Sequence, residues 1–251
     1  MGWGDEIMAS GQARVRHALT GRKVAIVDRH GGRRWSVLWE GNPKIAKPGE
    51  AGQFDAILNA PGARPYHIEK RPDRWIFDPT FRAPVGEIFL KDAEREFASY
   101  YKPQIVVEPN LKAKASQNKH WGWERWQRFA DLANASGLEL VQLGPSGTRR
   151  LEGVALINTP DFRHACAVLA NAGAYVGHEG GLHHAAAALG IRGVVIFGGF
   201  TPVELTGYPM HRNLGASLKQ ACGMRIPCEH CERTMAAITP EMVLEELTRF
   251  M

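Results

Sequence analysis

The sequence predicts an α/β fold with two halves that face each other across a cleft. From residue 104 onwards, apolar runs of strand length alternate with segments of helical apolar period, which is typical of a doubly wound parallel sheet. Within residues 174–200, a strand, a polar glycine turn, a helix and a second strand form a βαβ unit, and such a unit requires parallel strands. The regular pattern begins at Lys102-Pro103, after a stretch rich in Pro, Gly and Arg.

We therefore expect residues 1–102 to form a reduced amino-terminal α/β domain and residues 103–251 to form a Rossmann-like domain. The first half opens on a glycine-containing turn, Gly2-Trp-Gly-Asp-Glu6, that leads into a helix from Ile7 to Leu19. Asp5 falls where an acidic side chain stabilises the helix dipole. Strands are predicted at 23–28, 35–39 and 55–58, weaker strands at 66–69 and 87–90, and a charged helix at 91–101.

In the second half, predicted strands and helices alternate more regularly. Strands are predicted at 104–108, 138–143, 154–157, 174–176 and 193–197, with helices at 123–135, 161–171, 182–189 and 239–250. The last helix carries its own start signal, because Thr239 is a preferred N-cap residue and Pro240 suits the first helical position.

Composition limits the class of protein. The chain has 251 residues, 44% of them hydrophobic, which suits a globular protein with a sizeable core. We expect no transmembrane segment and, because the amino terminus is polar and acidic, no secretory signal, and thus a cytoplasmic location. The net charge of +5 favours acidic partners such as nucleotides, phosphorylated glycans or nucleic acid, without choosing among them.

Three of the four cysteines form one cluster. They are spaced as Cys222-x5-Cys228-Glu-His-Cys231, and the fourth, Cys166, lies in a predicted helix. In a chain without a signal peptide, such a cluster indicates metal or redox chemistry in preference to a disulfide framework. Metal ligation by the cluster and a compact loop with reduced thiols both stay open, because a second Cys-x-x-Cys pair is missing.

The glycine turn at residues 177–181 is the strongest candidate for a binding site. It follows a predicted strand, and ligands of open parallel sheets bind beyond the carboxyl ends of the strands. Gly180 and Gly181 allow the backbone to approach a ligand closely, and the amides of the following helix favour an anion. Glu179, His183 and His184 add groups that hydrogen-bond a ribose or a phosphate.

Two further loops are predicted at the same edge of the sheet. The segment 109–123 contains Lys112, Lys114 and Lys119, which would neutralise a diphosphate, and Trp121 or Trp123 would stack on a base. The alternative for this segment is a solvated basic loop with the tryptophans packed beneath it. The turn at Gly144 ends another strand and lies within reach of a nucleoside.

Several of these motifs together resemble the heptosyltransferases, the glycosyltransferases that use ADP-heptose-type donors. The resemblance rests on four groups of residues: Lys119-His-Trp-Gly-Trp-Glu-Arg-Trp126; Gln142-Leu-Gly144; Glu179-Gly-Gly-Leu-His-His-Ala-Ala-Ala-Ala-Leu-Gly190 with Phe197-Gly and Thr201-Pro; and, near the amino terminus, Gly4-Asp-Glu-Ile7. The cysteine cluster and Ile238-Thr-Pro-Glu-x-Val243 resemble the carboxyl end of that family.

The resemblance implies a GT-B architecture, two Rossmann-like domains facing a cleft, and an inverting transfer that needs no metal. It implies that Asp5 is the general base, and that Lys119 holds the donor phosphates with the amides of Gly180, Gly181 and Leu182 and with His184. Glu179 stands where the family commonly has an aspartate. The family's first strand normally precedes the Gly-Asp loop, and the three residues before Gly4 leave no room for it, so we expect either a reduced amino-terminal domain or a truncated start.

The expected partners are a nucleotide-sugar donor, ADP- or UDP-linked, and a glycan or glycolipid acceptor of the lipopolysaccharide-core type, compatible with peripheral membrane contact. No other cofactor and no donor-site metal are expected. Three alternatives stay open: modified phage-type DNA as the acceptor, a non-catalytic nucleotide-sugar-binding module, and an epimerase of similar two-domain fold. DNA would show strongly salt-dependent binding.

Overall fold

The computed structural model describes residues 2–112 and 115–251, and a six-stranded parallel sheet forms its centre. The order of strands across the sheet is β10-β9-β8-β5-β6-β7, and every neighbouring pair is parallel. The strands are β5 (Ile105–Glu108), β6 (Leu140–Gly144), β7 (Ala155–Asn158), β8 (Ala174–His178), β9 (Gly193–Gly198) and β10 (His211–Gly215). β8 and β9 are buried along their whole length, as expected for strands with a helix on either face.

Helices cover both faces of this sheet. They are α3 (Trp123–Ala135), α4 (Phe162–Leu169), α5 (Gly181–Ala188), the short α6 (Val203–Thr206), α7 (Glu229–Ala236) and α8 (Pro240–Thr248). Val107 and Phe129 belong to one hydrophobic cluster, which includes α3, α7 and α8, whereas Val106 and Leu182 belong to another, which includes α4 and α5. The alternation along β5 therefore divides the core between two helical layers.

The amino-terminal half is smaller and contributes to the second layer. Its elements are α1 (Trp3–Thr20), β1 (Val24–Val27), β2 (Asp55–Leu58), β3 (His67–Lys70), β4 (Trp75–Phe77) and α2 (Asp92–Ala98). β1 and β2 form a two-stranded parallel sheet, and β3 and β4 form an antiparallel pair. Ile7 of α1 and Ile26 of β1 share one buried cluster with Leu182 of α5, so the core is continuous across the two halves.

The structure confirms the α/β class and the parallel sheet, and it corrects three local predictions. Residues 35–39 are not a strand: Val37–Trp39 is a single 3-10 turn, because the Ser36 hydroxyl caps it by accepting a bond from the Leu38 amide at 3.3 Å. The first helix starts at Trp3 instead of Ile7, so the expected turn at residues 2–6 is helical from its second residue.

Residues 87–90 also form no strand. The backbone of Glu87 bonds to the Ser10 hydroxyl in both directions, at 2.8 and 3.0 Å, and the Phe89 carbonyl accepts from Arg163 at 2.6 Å. Side chains therefore satisfy the polar groups that a strand would pair. Within residues 2–112 and 115–251, no helix combines the length and apolar character that crossing a membrane requires.

Candidate functional site

A cleft of about 530 Å³ opens where the start of α1 meets the carboxyl ends of β5 and β8. It is lined by Gly2, Gly4, Asp5, Arg64, Tyr66, Trp75, Glu108, Lys112, Lys119, Phe162, His178, Glu179, Gly180, Gly181, His184, Phe200 and Arg225, together with neighbouring apolar and small residues. The two halves thus contribute to one cavity.

Asp5 is held firmly in the wall of this cleft, where it is only 7% exposed. Its Oδ1 accepts a hydrogen bond from the Tyr66 hydroxyl at 3.0 Å, and its Oδ2 lies 3.2 Å from the Arg64 guanidinium. The Gly2 amide also donates to Oδ2, at 3.2 Å, because Asp5 is the third residue of α1. Burial, followed by the neighbouring Asp5 charge, raises the pKa of Tyr66, so its hydroxyl stays protonated and keeps donating.

Lys119 and Glu179 form an ion pair on the opposite wall. The Lys119 ammonium contacts Oε2 of Glu179, and His184 Nε2 lies 3.6 Å from Oε1 of the same carboxylate. Burial alone would raise the pKa of Glu179, but the attraction of Lys119 and the contact with His184 outweigh burial and hold this pKa well below its usual value. The Glu179 carboxylate is therefore ionised at neutral pH, and the Lys119 side chain, which is 21% exposed, lines the cleft.

The amino-terminal end of α5 faces the same space. Gly180 is the N-cap and Gly181 is the first helical residue, so the first amides of the helix have no partner within it. A Cβ on Gly181 would lie 3.1 Å from Trp3 Cβ and 3.2 Å from the ring of Phe162. A larger residue here would therefore press on Trp3 and Phe162, whose stacked rings, with centroids 5.3 Å apart, close this side of the cleft.

His184 connects the two helices that carry these groups. Its Nδ1 is 2.7 Å from the Tyr208 hydroxyl, which fixes the orientation of the ring. The ring also packs against Gly4, where a Cβ would lie 3.0 Å from Nε2. α1 therefore approaches α5 closely enough to bring Asp5 and the Lys119–Glu179 pair into one cleft.

Five of the residues singled out for this site from the sequence are not among those that line the cleft: Trp121, Trp123, Gly144, Leu182 and His183. Trp121 is fully buried, and its indole N–H donates to the Ile238 carbonyl at 2.7 Å. The expected stacking of Trp121 on a base is therefore wrong, and the alternative, a tryptophan packed beneath the loop, is correct. Gly144 ends β6 beside Thr148 and is not among the residues that line the cleft. The Leu182 side chain is in the core, which leaves only its amide at the helix start. Lys114 lies outside the described residues.

Several cleft residues were not anticipated. Arg64 and Tyr66 come from a segment in which the sequence showed no motif, and Arg225 comes from the cysteine loop, residues 222–228. Glu108 ends β5, and that position was a usable signal because sites form at strand carboxyl ends. Burial raises the pKa of Glu108 to about 8, with Glu179 adding to the rise and a 2.5 Å hydrogen bond from Tyr175 opposing it.

A second group of potential metal ligands lies beside the cleft. Glu179, His183 and His184 place one ligand atom each within 4.8 Å of one another, and all three are buried. Burial, then His184 and His211, holds the pKa of His183 well below its usual value. Lys119 already occupies the Glu179 carboxylate with a positive charge, which opposes a divalent cation there.

The comparisons with known proteins agree with this architecture. The family model described as glycosyltransferase family 9 (heptosyltransferase) matches residues 83–236, which is more than half of the chain. A glycosyl transferase family 9 structure from Veillonella parvula is similar over 99% of this chain and 94% of its own, with a TM-score of 0.66 and 16% identity.

Two E. coli structures are similar over smaller shares of their own length. The iron-containing dodecameric glycosyltransferase TibC is matched over 99% of this chain and 73% of its own, with a TM-score of 0.61 and 14% identity. ADP-heptose lps heptosyltransferase II is matched over 65% of this chain and 53% of its own, with a TM-score of 0.47 and 21% identity. No curated protein matches the chain by sequence.

At such identities the structural similarity shows the fold, which is the GT-B arrangement of these glycosyltransferases. The family match covers the segment with Lys119, Glu179 and the start of α5. The chain belongs to glycosyltransferase family 9 and is a heptosyltransferase-like glycosyltransferase.

Proposed function

We propose that this protein transfers a sugar from a nucleotide-sugar donor, ADP- or UDP-linked, to a hydroxyl of a glycan acceptor, with inversion and without a metal at the reacting centre. The observation that supports this most directly is that Asp5, Lys119 and the start of α5 line one cleft of about 530 Å³. A base, a cation and unpaired amides are the three groups that such a transfer needs.

In this proposal the donor diphosphate lies at the start of α5. The first amides of this helix and the Lys119 ammonium stabilise the charge that grows on the leaving diphosphate. The phosphate competes with Glu179 for Lys119, since both are anions, and Glu179 is then available to accept hydrogen bonds from sugar or ribose hydroxyls. His184 lines the same wall and donates to the phosphate or sugar.

Asp5 acts as the general base on the acceptor. One of its carboxylate oxygens takes the proton of the attacking hydroxyl, while Tyr66 and Arg64 keep the carboxylate oriented. Arg64 also balances the negative charge of Asp5 before the proton arrives. We assign residues 1–102 to the acceptor side and residues 103–251 to the donor side, and we expect a lipopolysaccharide-core-like acceptor handled in the cytoplasm.

The test separates binding from turnover. Thermal shifts with ADP-, UDP- and GDP-sugars identify the donor, because a ligand that binds only the folded state raises the apparent stability. With that donor, Asp5→Asn should lower turnover by about 10²–10⁴-fold while the donor Kd stays within about twofold. Asp92→Asn, an exposed aspartate on α2 outside the cleft, is the matched control and should change neither quantity.

The outcomes distinguish the competing functions. Turnover by Asp5→Asn at the wild-type rate would remove Asp5 from the mechanism. Donor binding by the wild-type protein without transfer to any glycan or DNA acceptor would indicate a binding module. Conversion of the donor sugar without any acceptor would indicate an epimerase.

A further inference from the structure

The three clustered cysteines converge on a single point at the end of the sheet. The Sγ atoms of Cys222 and Cys231 are 3.3 Å apart, those of Cys222 and Cys228 are 3.8 Å apart, and all three lie within 4.8 Å of one another. All three are free thiols, and Cys231 is buried. The loop from 222 to 228 and the first turn of α7 thus aim three sulfur atoms at one position.

These distances fit a tetrahedral thiolate site. With a metal–sulfur distance of about 2.3 Å, two sulfur ligands of a tetrahedron are about 3.8 Å apart. The separation of Cys222 and Cys228 equals that value, and the 3.3 Å separation of Cys222 and Cys231 is within about half an ångström of it. Only small side-chain shifts would be needed to place an ion at bonding distance from all three.

The fourth side of the cluster is open to a small cavity. This cavity, about 210 Å³, is lined by Cys228 and Cys231 and also by His120 and Gln117. An imidazole or a water molecule therefore has room to complete four-coordination.

We propose that Cys222, Cys228 and Cys231 bind one thiophilic metal ion, Zn²⁺ or Fe²⁺, in a three-thiolate site completed from the His120 side. Thiolates prefer these ions over Mg²⁺ or Ca²⁺, which take oxygen ligands. The assignment is independent of the proposed sugar transfer, because it depends only on the cysteine geometry. The ion lies outside the cleft and has no part in the reaction.

The ion has a structural consequence for the cleft, because the cysteine loop holds the segment that carries Lys119. The side-chain Nδ2 of Asn118 donates to the carbonyls of Met224 and Ile226 at 2.8 and 2.7 Å, and its Oδ1 accepts from the backbone amide of Cys228 at 3.2 Å. Arg225, in the same loop, lines the cleft directly. A metal that closes this loop therefore keeps both cations in the cleft wall.

The first experiment measures metal content and ligand type. The full chain, purified under reducing and anaerobic conditions from cells supplied with zinc or with iron, should contain about one metal ion per chain. Cobalt substitution should produce an intense thiolate-to-cobalt charge-transfer absorption. Cys228→Ser and Cys231→Ser should lower both signals at least about tenfold, whereas Cys166→Ser, the matched thiol outside the cluster, should keep them.

A second measurement covers the case in which a cluster variant does not fold. In the wild-type protein, removing the metal with a chelator should speed alkylation of Cys222, Cys228 and Cys231, mapped by peptide mass spectrometry, at least about tenfold, because bound thiolates are shielded. The zinc and iron preparations decide which of the two ions the site retains.

Three results would overturn the proposal. One is a wild-type protein with far less than one equivalent of both metals. Another is unchanged metal content in folded cluster variants. The third is a disulfide between two of the three cysteines in protein taken directly from cells, with alkylation that a chelator does not change.

Discussion

Replacing Lys119 by methionine tests its ion pair with Glu179, on which the proposed donor site depends. Lys119 contacts one oxygen of Glu179, and the only other cation candidate within 4.0 Å of this carboxylate among the described residues is His184 at 3.6 Å. The variant Lys119→Met keeps the length of the side chain and removes its charge. Glu179, with a side chain that is 10% exposed, would be left as a buried anion with His184 alone.

The expected cost follows from this burial. Removing one partner of a buried ion pair costs about 3–5 kcal/mol, and the 21% exposure of Lys119 and the remaining His184 reduce this to about 2–3 kcal/mol. For a chain of this size, about 1 kcal/mol shifts Tm by about 2–4 °C, so Lys119→Met should lower Tm by about 4–12 °C. Glu179→Gln should cost about 1 kcal/mol, because Lys119 can turn toward solvent.

The double variant isolates the interaction. Urea unfolding at pH 7 of wild type, both single variants and Lys119→Met/Glu179→Gln should give a coupling energy of about 1–2 kcal/mol. Because the pKa of Glu179 is depressed in the folded state, the stability it contributes is present above about pH 4.5 and is lost as the pH falls below that value. The cost of Lys119→Met should therefore shrink below about pH 4.5.

The matched control is Lys91→Met, because the Lys91–Glu40 pair is on the surface, with side chains 54% and 33% exposed, and should contribute at most about 1 kcal/mol. Lys119→Met should also weaken binding of the nucleotide sugar by about tenfold to a hundredfold. A Lys119→Met protein as stable as wild type, with unchanged donor affinity, would refute both the buried pair and the donor-phosphate role.

Three further predictions address the packing and protonation of the cleft. Gly4→Ala should lower the free energy of unfolding by about 1–3 kcal/mol and lower turnover, because its Cβ would meet the His184 ring and force α1 away from α5. The control is Gly180→Ala, whose Cβ would have no neighbour nearer than 3.8 Å and which should leave the free energy of urea unfolding unchanged. Glu108 contributes a loss of stability as the pH rises from about 4.5 to about 8, because the folded protein keeps its proton through this range, so the stability of Glu108→Gln relative to wild type should rise over this interval. His178→Phe should cost about 2 kcal/mol, because His178 Nε2 accepts from the indole of Trp126 at 3.3 Å. Because burial lowers the pKa of His178 to about 3, this group contributes a loss of stability as the pH falls below about 6.5, so the stability of His178→Phe relative to wild type should rise as the pH falls below that value.

Each of these has a contradicting result. Equal unfolding free energies for Gly4→Ala and Gly180→Ala would show that the two helices are not in tight contact. Parallel stability–pH curves for wild type and Glu108→Gln between pH 4.5 and 8 would show that Glu108 is ionised there. A His178→Phe variant as stable as wild type at pH 7 would show that the buried indole needs no acceptor.

The sequence was most informative where a physical pattern is local. The βαβ unit from Ala174 to Gly198 was predicted because buried parallel strands are almost continuously apolar and the intervening turn contains paired glycines. Helix α3 was predicted with its observed bounds, because its apolar positions recur at helical spacing. In these segments the local sequence pattern alone indicates which residues are buried.

Prediction failed where a distant contact decides the local structure. Trp35 to Trp39 has the composition of a strand, but the Trp39 indole donates to the Glu6 carbonyl at 2.7 Å, and the segment turns to make that contact. Trp121 is in a loop next to cations, yet it is buried against Trp126. In both cases an interior contact of an aromatic side chain stabilises a local structure that the surrounding sequence pattern does not indicate.

By itself, the sequence determined the parallel sheet, the glycine turn at the carboxyl end of β8 and the chemical types at that turn, because these depend on periodicity and on the freedom of glycine. Only the tertiary structure decided that Arg64 and Tyr66 orient Asp5, and that Asp5 shares a cleft with Lys119. The physical reason is the close approach of α1 to α5 at Gly4 and His184. This packing joins parts of the chain that are 180 residues apart, and no local pattern encodes it.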